Sequence, residues 1–186
     1  MAVQLLWPLF FLIALYIRLV SRGPVLFVQS RVGHGGDDFR IYKFRTMHVP
    51  EKSRDEGHRA YVASLACSNC PTEKPSIEGE LIPGGALLRK FSIDEFPQLI
   101  NVWRGDMSLV GPRPDLLRLE DYADGQERRF QVLPGMTGLW QVSGKNRLTF
   151  EEMIDLDLEY VETRSLHNDL RIILKTFGVL LFDDNE

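Results

Sequence analysis

The sequence has little cysteine, two residues in 186. That is too few for a disulfide framework, and nothing marks a secreted, oxidised scaffold. It has no excess of positive charge either. Twenty-two Lys and Arg stand against 26 Asp and Glu, a net charge of −4, which argues against a general nucleic-acid binder. No internal repeat or low-complexity tract occurs, and 15 Gly and 10 Pro exclude a collagen-like or disordered composition. An apolar run of membrane-spanning length is also missing. Leu5–Ile17 (LLWPLFFLIALYI) is 13 residues without a charge, about 20 Å of helix against a hydrocarbon core of roughly 30 Å.

What is present suits one compact domain, 44% hydrophobic and 26% charged, long enough to bury a core. Charge is unevenly spread. Residues 1–50 carry six basic groups (Arg18, Arg22, Arg31, Arg40, Lys43, Arg45) against Asp37 and Asp38, and the remainder is strongly acidic. A basic third beside an apolar segment points to an anionic membrane surface. The length of the apolar run suits a re-entrant or interfacial segment, with a buried core helix as the alternative. A signal peptide does not fit, because no basic residue precedes the run and no small-residue cleavage site comes after it. Arg18 and Arg22 place the chain beyond them on the cytoplasmic side.

Val25–Gln29 and Phe39–Phe44 read as strands joined by a Gly-rich hairpin turn, a simpler reading than a phosphate cradle because no helix comes directly after it. Helices are expected at 1–20, 51–65, 86–90, 92–104, 115–124, 149–163 and 166–182, around a small sheet. Thr149 and Glu152 form a capping box, and 166–182 is apolar enough to pack deeply or lie in a membrane interface. Residues 105–114 and 134–147 are loops of fixed shape, punctuated by Gly and Pro. Residues 50–84 look like a long insertion. Within it, Cys67-Ser-Asn-Cys70 lacks two further zinc ligands. His48 and His58 match no standard spacing, and Pro71 gives no redox-helix context.

The most informative stretch is Arg89-Lys-Phe-Ser-Ile-Asp94-Glu95-Phe-Pro-Gln98. Ser92 with Glu95 fits a capping box, which alone would be a structural feature. Pro97 is tolerated in the first turn if Asp94 is the N-cap instead. Ile93, Phe96, Ile100 and Trp103 have helical spacing and should bury, leaving Asp94, Gln98 and Asn101 on a polar stripe. Two adjacent anions would repel an anionic substrate unless a divalent cation and arginines reversed the field. That composition suits phosphoryl chemistry, with a carboxylate as nucleophile or metal ligand. Further cations stand in constrained segments: Arg113 between Pro112 and Pro114, Lys43 and Arg45 in KFRTM, Lys145 and Arg147 in SGKNR. Each taken singly is ordinarily a surface cation. Asp157, with Asp155 and Glu159, reads by default as part of a solvated helix face.

These residues, in this order, resemble the bacterial sugar transferase family, the monotopic phosphoglycosyl transferases. The matching segments are Gly23–Gln29 with Arg31–Gly33, Lys43–Met47, Leu88–Leu99, Asn101–Pro114, Pro134–Gly144 and Asp157–Tyr160. The resemblance implies an α/β fold, mainly helical with a small β-sheet. Residues 1–22 would be a re-entrant membrane helix and 23–186 a catalytic domain on the cytoplasmic face, with a variable loop at 50–84. It implies transfer of a sugar-1-phosphate from a UDP-sugar to polyprenyl phosphate at the inner membrane of a bacterium. UMP would be released and Mg²⁺ used, as the first membrane step of glycan assembly. Asp94 would be the nucleophile and Glu95 its partner, both near Mg²⁺. Lys43, Arg45, Arg89, Arg113, Pro114, Lys145 and Asp157 would line the substrate site. Trp140 in Gly-Leu-Trp-Gln resembles members that use UDP-hexoses. A homodimer is compatible with the family, and nucleic acid has no part in it.

The chain departs from the family pattern in three places. Only seven residues precede Pro8, so the chain either starts inside the hairpin or carries an abbreviated anchor. Lys145 stands where Arg is usual and lacks its planar fork. The 50–84 segment matches nothing. The rival readings are a membrane-associated scaffold of the same fold and a soluble metal-dependent phosphohydrolase.

Overall fold

Helix α1 (Ala2–Val20) runs through Pro8 and buries one stripe. Phe10, Ile13 and Ile17 have helical spacing and pack with Phe44, Ile82 and Leu88. The first helix therefore shares a core with later parts of the chain. Its other side stays apolar and uncovered, with Trp7, Phe11, Leu12, Leu15 and Leu19 exposed. In this computed structural model, residues 2–48, 81–144 and 147–182 are described. The expected helix at 51–65, Cys67, Cys70 and Lys145 lie outside them. Among the described residues no helix is long and apolar enough to cross a membrane.

Strands β1 (Leu26–Val32) and β2 (Asp38–Phe44) form the expected antiparallel hairpin, in register from Leu26 opposite Phe44 to Val32 opposite Asp38. Gly35 and Gly36 take the left-handed conformation in the turn, at φ 66° and 86°. The end of α1 is fastened to this hairpin by Arg45. Its guanidinium donates to the carbonyls of Arg22 (2.8 Å) and Ser21 (3.1 Å), where a cation satisfies groups just beyond a helix C-terminus.

The single helix expected over 92–104 is broken. Helix α2 (Gly85–Lys90) ends, and Ser92 steps into the left-handed region at φ 50°, the one non-glycine residue to do so among those described. A 3-10 turn at Ile93–Glu95 comes next, and α3 (Gln98–Arg104) begins only after Pro97. The capping box does not form, since the Ser92 side chain makes no capping bond. The expected apolar face holds at Ile93 and Phe96, which pack against the core, and fails within α3. Trp103 is 80% exposed, whereas Gln98 and Asn101 are 2% and 0% exposed. Asn101 turns inward because the free edge of β2 offers backbone groups that need partners. Its Nδ2 donates to the Arg40 carbonyl at 2.7 Å, and its Oδ1 accepts the Tyr42 N–H at 3.3 Å.

Two short strands, β3 (Ser108–Val110) and β4 (Gly135–Thr137), pair in parallel inside segments expected to be loops. The helix expected over 115–124 shrinks to a 3-10 turn at Leu119–Asp121. Asp115 and Asp121 take the backbone N–H groups of Leu116 and Arg118, which competes with helix formation. Helices α4 (Phe150–Thr163) and α5 (Leu166–Phe182) close the chain, α4 with its capping box of Thr149 and Glu152 formed. The fold class is thus mixed α/β, mostly helical with two small sheets.

A Cβ on Gly135 would run into the backbone N of Gly111 and the carbonyl of Thr137, neither of which can swing aside. Gly135→Ala is accordingly expected to cost at least about 1–3 kcal/mol in a denaturant titration, as overpacking does. A loss below about 0.5 kcal/mol, the usual effect of a surface change, would contradict this packing.

Candidate active site

The 3-10 turn at Ile93–Glu95 presents two carboxylates next to one another, and three separate segments bring basic or hydroxyl groups to them. Lys43, near the end of β2, puts its Nζ 2.6 Å from Glu95 Oε1. Arg113, from the Pro-flanked loop after β3, puts Nη2 3.0 Å from the same oxygen. Both cations grip Oε1, and the capping role expected of Glu95 is replaced by this clasp. Arg89, in the last turn of α2, donates through Nε to Thr46 Oγ1 at 3.0 Å. Among the described residues, the partly buried Asp94 carboxylate accepts no hydrogen bond and joins no salt bridge.

The electrostatics separate the two acids. Burial would raise Glu95, but the charges and hydrogen bonds of Lys43 and Arg113 hold it far below the ordinary glutamate range. Burial pushes Asp94 above the ordinary aspartate range, against the pull of Lys43. The neighbouring Glu95 adds to the rise, while Arg89 and Arg113 oppose it. Burial also lowers the Lys43 ammonium, more than Glu95 raises it. Glu95 is thus a fixed anion that organises cations, and Asp94 is a desolvated carboxylate that takes no hydrogen bond from the described residues. A desolvated, unbonded carboxylate among cations is what attack on a phosphorus atom needs.

Asp94, Glu95, Lys43, Arg89 and Arg113 are therefore brought together. Pro114 is buried beside Arg113 and stiffens its loop. Arg45 does not join this cluster: it is buried and donates to the carbonyls beyond the end of α1. Asp157 is not on a solvated face and does not line an open site. It is 1% exposed, with its Oδ2 2.6 Å from Arg129 Nη2. Burial pushes the Asp157 carboxyl up to about 6, against Arg129. Arg129 and Asn101 carry no local signal of their roles, since a buried Arg or Asn looks in sequence like any surface residue.

Residues 1–183 match the profile of the family described as bacterial sugar transferase. The chain is 42% identical to the galactosyl transferase CpsE of Streptococcus agalactiae over 86% of its length, which is 35% of that protein. It is 42% identical to the UDP-glucose:undecaprenyl-phosphate glucose-1-phosphate transferase of Caulobacter vibrioides, covering 96% of this chain and 64% of that one. It is 40% identical to the exopolysaccharide production protein ExoY of Rhizobium meliloti, over 94% of this chain and 78% of that one. The chain thus spans from about a third to just under two thirds of the first two relatives. A profile match over nearly the whole length agrees with the residues gathered around Asp94, and the chain belongs to the bacterial sugar transferase family.

Proposed function

We propose that the protein transfers a hexose-1-phosphate from a UDP-hexose to polyprenyl phosphate, releasing UMP. The observation that carries this reading is the Asp94 carboxylate, without a hydrogen bond among the described residues, beside a Glu95 clasped by Lys43 and Arg113. Family membership and the names of the relatives, which include glucose-1-phosphate and UDP-galactose transferases, support the substrate class. In the first step an Asp94 oxygen bonds to the β-phosphorus, and the bond from that phosphorus to the bridging oxygen breaks. UMP leaves with the electron pair. In the second step a phosphate oxygen of the lipid bonds to the same phosphorus, and the Asp94 carboxylate leaves. Lys43, Arg89 and Arg113 hold the phosphates through both displacements and oppose the charge that builds up on the phosphoryl oxygens.

The donor set fits Mg²⁺. The ion typically takes one or two carboxylates and completes its shell with phosphate oxygens and water. Asp94 and the Oε2 of Glu95 are the groups that would hold it. When bound, Mg²⁺ would offset the diphosphate charge and ease departure of UMP. Among the described residues no cluster of three His, Cys, Asp or Glu forms a fuller cage.

The exposed apolar side of α1, with Arg18 and Arg22 at its end, suits seating in the membrane interface. The exposed Leu166, Leu170, Leu174, Phe177 and Leu181 form a stripe along α5 that also suits a membrane interface. We assign the catalytic residues to the cytoplasmic face, with α1 entering the bilayer as a re-entrant segment.

Incubation with UDP-glucose or UDP-galactose, undecaprenyl phosphate and Mg²⁺ in nanodiscs tests the reaction. UMP together with a lipid-linked sugar diphosphate is expected. Release of free sugar phosphate without need for the lipid would make the protein a phosphohydrolase instead.

The site sets the pH dependence. Asp94 must be ionised to attack, so the acid limb of kcat/KM falls above the ordinary aspartate value of about 3.9. Lys43 must be charged to hold Glu95 and phosphate, so the basic limb falls below the ordinary lysine value of about 10.4. Lys43→Arg, whose side chain does not titrate in this range, should remove the basic limb and leave the acid limb in place. An unchanged basic limb in that variant would dissociate Lys43 from it.

A further inference from the structure

Arg113 reaches Glu95 from a short loop whose two prolines, Pro112 and Pro114, have no N–H to donate. The loop is instead held by its carbonyls. Pro112 accepts from Gly135 N–H at 2.8 Å, and Asp115 accepts from Val32 N–H at 2.9 Å. Between them, the Arg113 carbonyl accepts from Arg129 Nη2 at 2.9 Å. Arg129 is 4% exposed, and its fork is saturated. Nε and Nη2 donate to Asp157 Oδ2 at 3.1 and 2.6 Å, and Nη1 donates to the Tyr122 hydroxyl at 2.5 Å and to Asp115 Oδ2 at 3.5 Å. Tyr122 in turn donates to Asp115 Oδ2 at 3.0 Å. One turn along α4 the Tyr160 hydroxyl lies 3.1 Å from the Val110 carbonyl and 2.9 Å from Asp169 Oδ1, two acceptors that share its one proton.

We propose that Arg129, oriented by Asp157 on α4, is a positioning residue. It fixes the backbone of Arg113 and so sets where the Arg113 guanidinium meets Glu95 and the substrate diphosphate. This role rests on the proposed transfer reaction. A lysine at 129 keeps the charge and loses the fork, so it can serve Asp157 or the Arg113 carbonyl but not both along with Tyr122. The expected consequence is a displaced Arg113 in a folded protein. A misplacement on the order of 1 Å costs roughly 100-fold in rate.

A double-mutant cycle on the full chain separates positioning from general stability. Arg113→Ala, Arg129→Lys and the double variant are compared in UMP release and in affinity for UDP, at a temperature where circular dichroism shows each folded. If Arg129 acts through Arg113, the double variant is no worse than Arg113→Ala, in both turnover and UDP affinity. Losses that multiply would overturn the proposal and leave Arg129 as a core residue. Tyr122→Phe removes a single hydroxyl from the network and is carried through the same cycle, with the same two outcomes, should Arg129→Lys not fold. Absence of UMP release by the wild type would fault the proposed reaction. Multiplying losses against an active wild type would fault the role of Arg129 alone.

Discussion

Asp94→Asn lowers turnover by roughly four orders of magnitude or more, the scale seen when a catalytic side chain of a covalent mechanism is removed. The substitution keeps the size and shape of the side chain and exchanges one oxygen for a group that cannot attack phosphorus. It should not cost stability. The Asp94 carboxylate has no hydrogen bond to lose among the described residues, and burial disfavours its charged form more than Lys43 favours it. A neutral amide escapes that penalty, so Tm is expected to hold or rise slightly while activity disappears. Normal UMP release by Asp94→Asn would remove Asp94 as the nucleophile. A lost fold would leave stability as the cause of inactivity.

The largest stability effect is expected at Asp157→Ala. The carboxylate lies 2.6 Å from Arg129, and both side chains are nearly inaccessible. Together such ions need not add much to stability, because desolvation offsets their attraction. Removal of one is different, since the guanidinium is left charged and buried with only the longer 3.5 Å contact to Asp115 as counter-ion. About 3–5 kcal/mol is the usual cost. For a chain of this size that corresponds to a fall in Tm on the order of 10 °C. Asp157→Asn keeps an oxygen in place for Arg129 and should lose less. Equal, small losses in both, under about 1 kcal/mol by denaturant titration at neutral pH, would show that the pair is not a buried anchor.

The parts of the fold that can be read from sequence are those settled by neighbours along the chain. The β1–β2 hairpin arises from two apolar strands and glycines where the turn needs positive φ. Helix α4 arises from a capping box and a regular apolar spacing. The parts that depart from local expectation are decided at long range. Asn101 is buried because β2, some 60 residues before it in the chain, needs its edge groups satisfied, and Trp103 is turned out as a result. The helix at 92–104 breaks because Glu95 is drawn to Lys43 and Arg113 rather than to its own backbone.

The dyad itself is legible because cations in stiff segments and a helix-start carboxylate pair rarely coincide without a reason. Arg45 and Asp157 carry equally plausible local patterns. Burial alone distinguishes their structural use from a role at the phosphates. Arg129 gives no signal, since its partners Asp115, Tyr122 and Asp157 are spread over two sides of it along the chain.

Catalysis as proposed depends on a transient bond between Asp94 and phosphorus, and peptide mass analysis after brief mixing with a UDP-hexose and Mg²⁺, without lipid acceptor, tests it most directly. The predicted result is a hexose-phosphate increment on the peptide containing Asp94, absent from Asp94→Asn and cleared on adding undecaprenyl phosphate. An increment on another residue would contradict the mechanism. So would UMP formation that never labels the protein and begins only when the lipid is present.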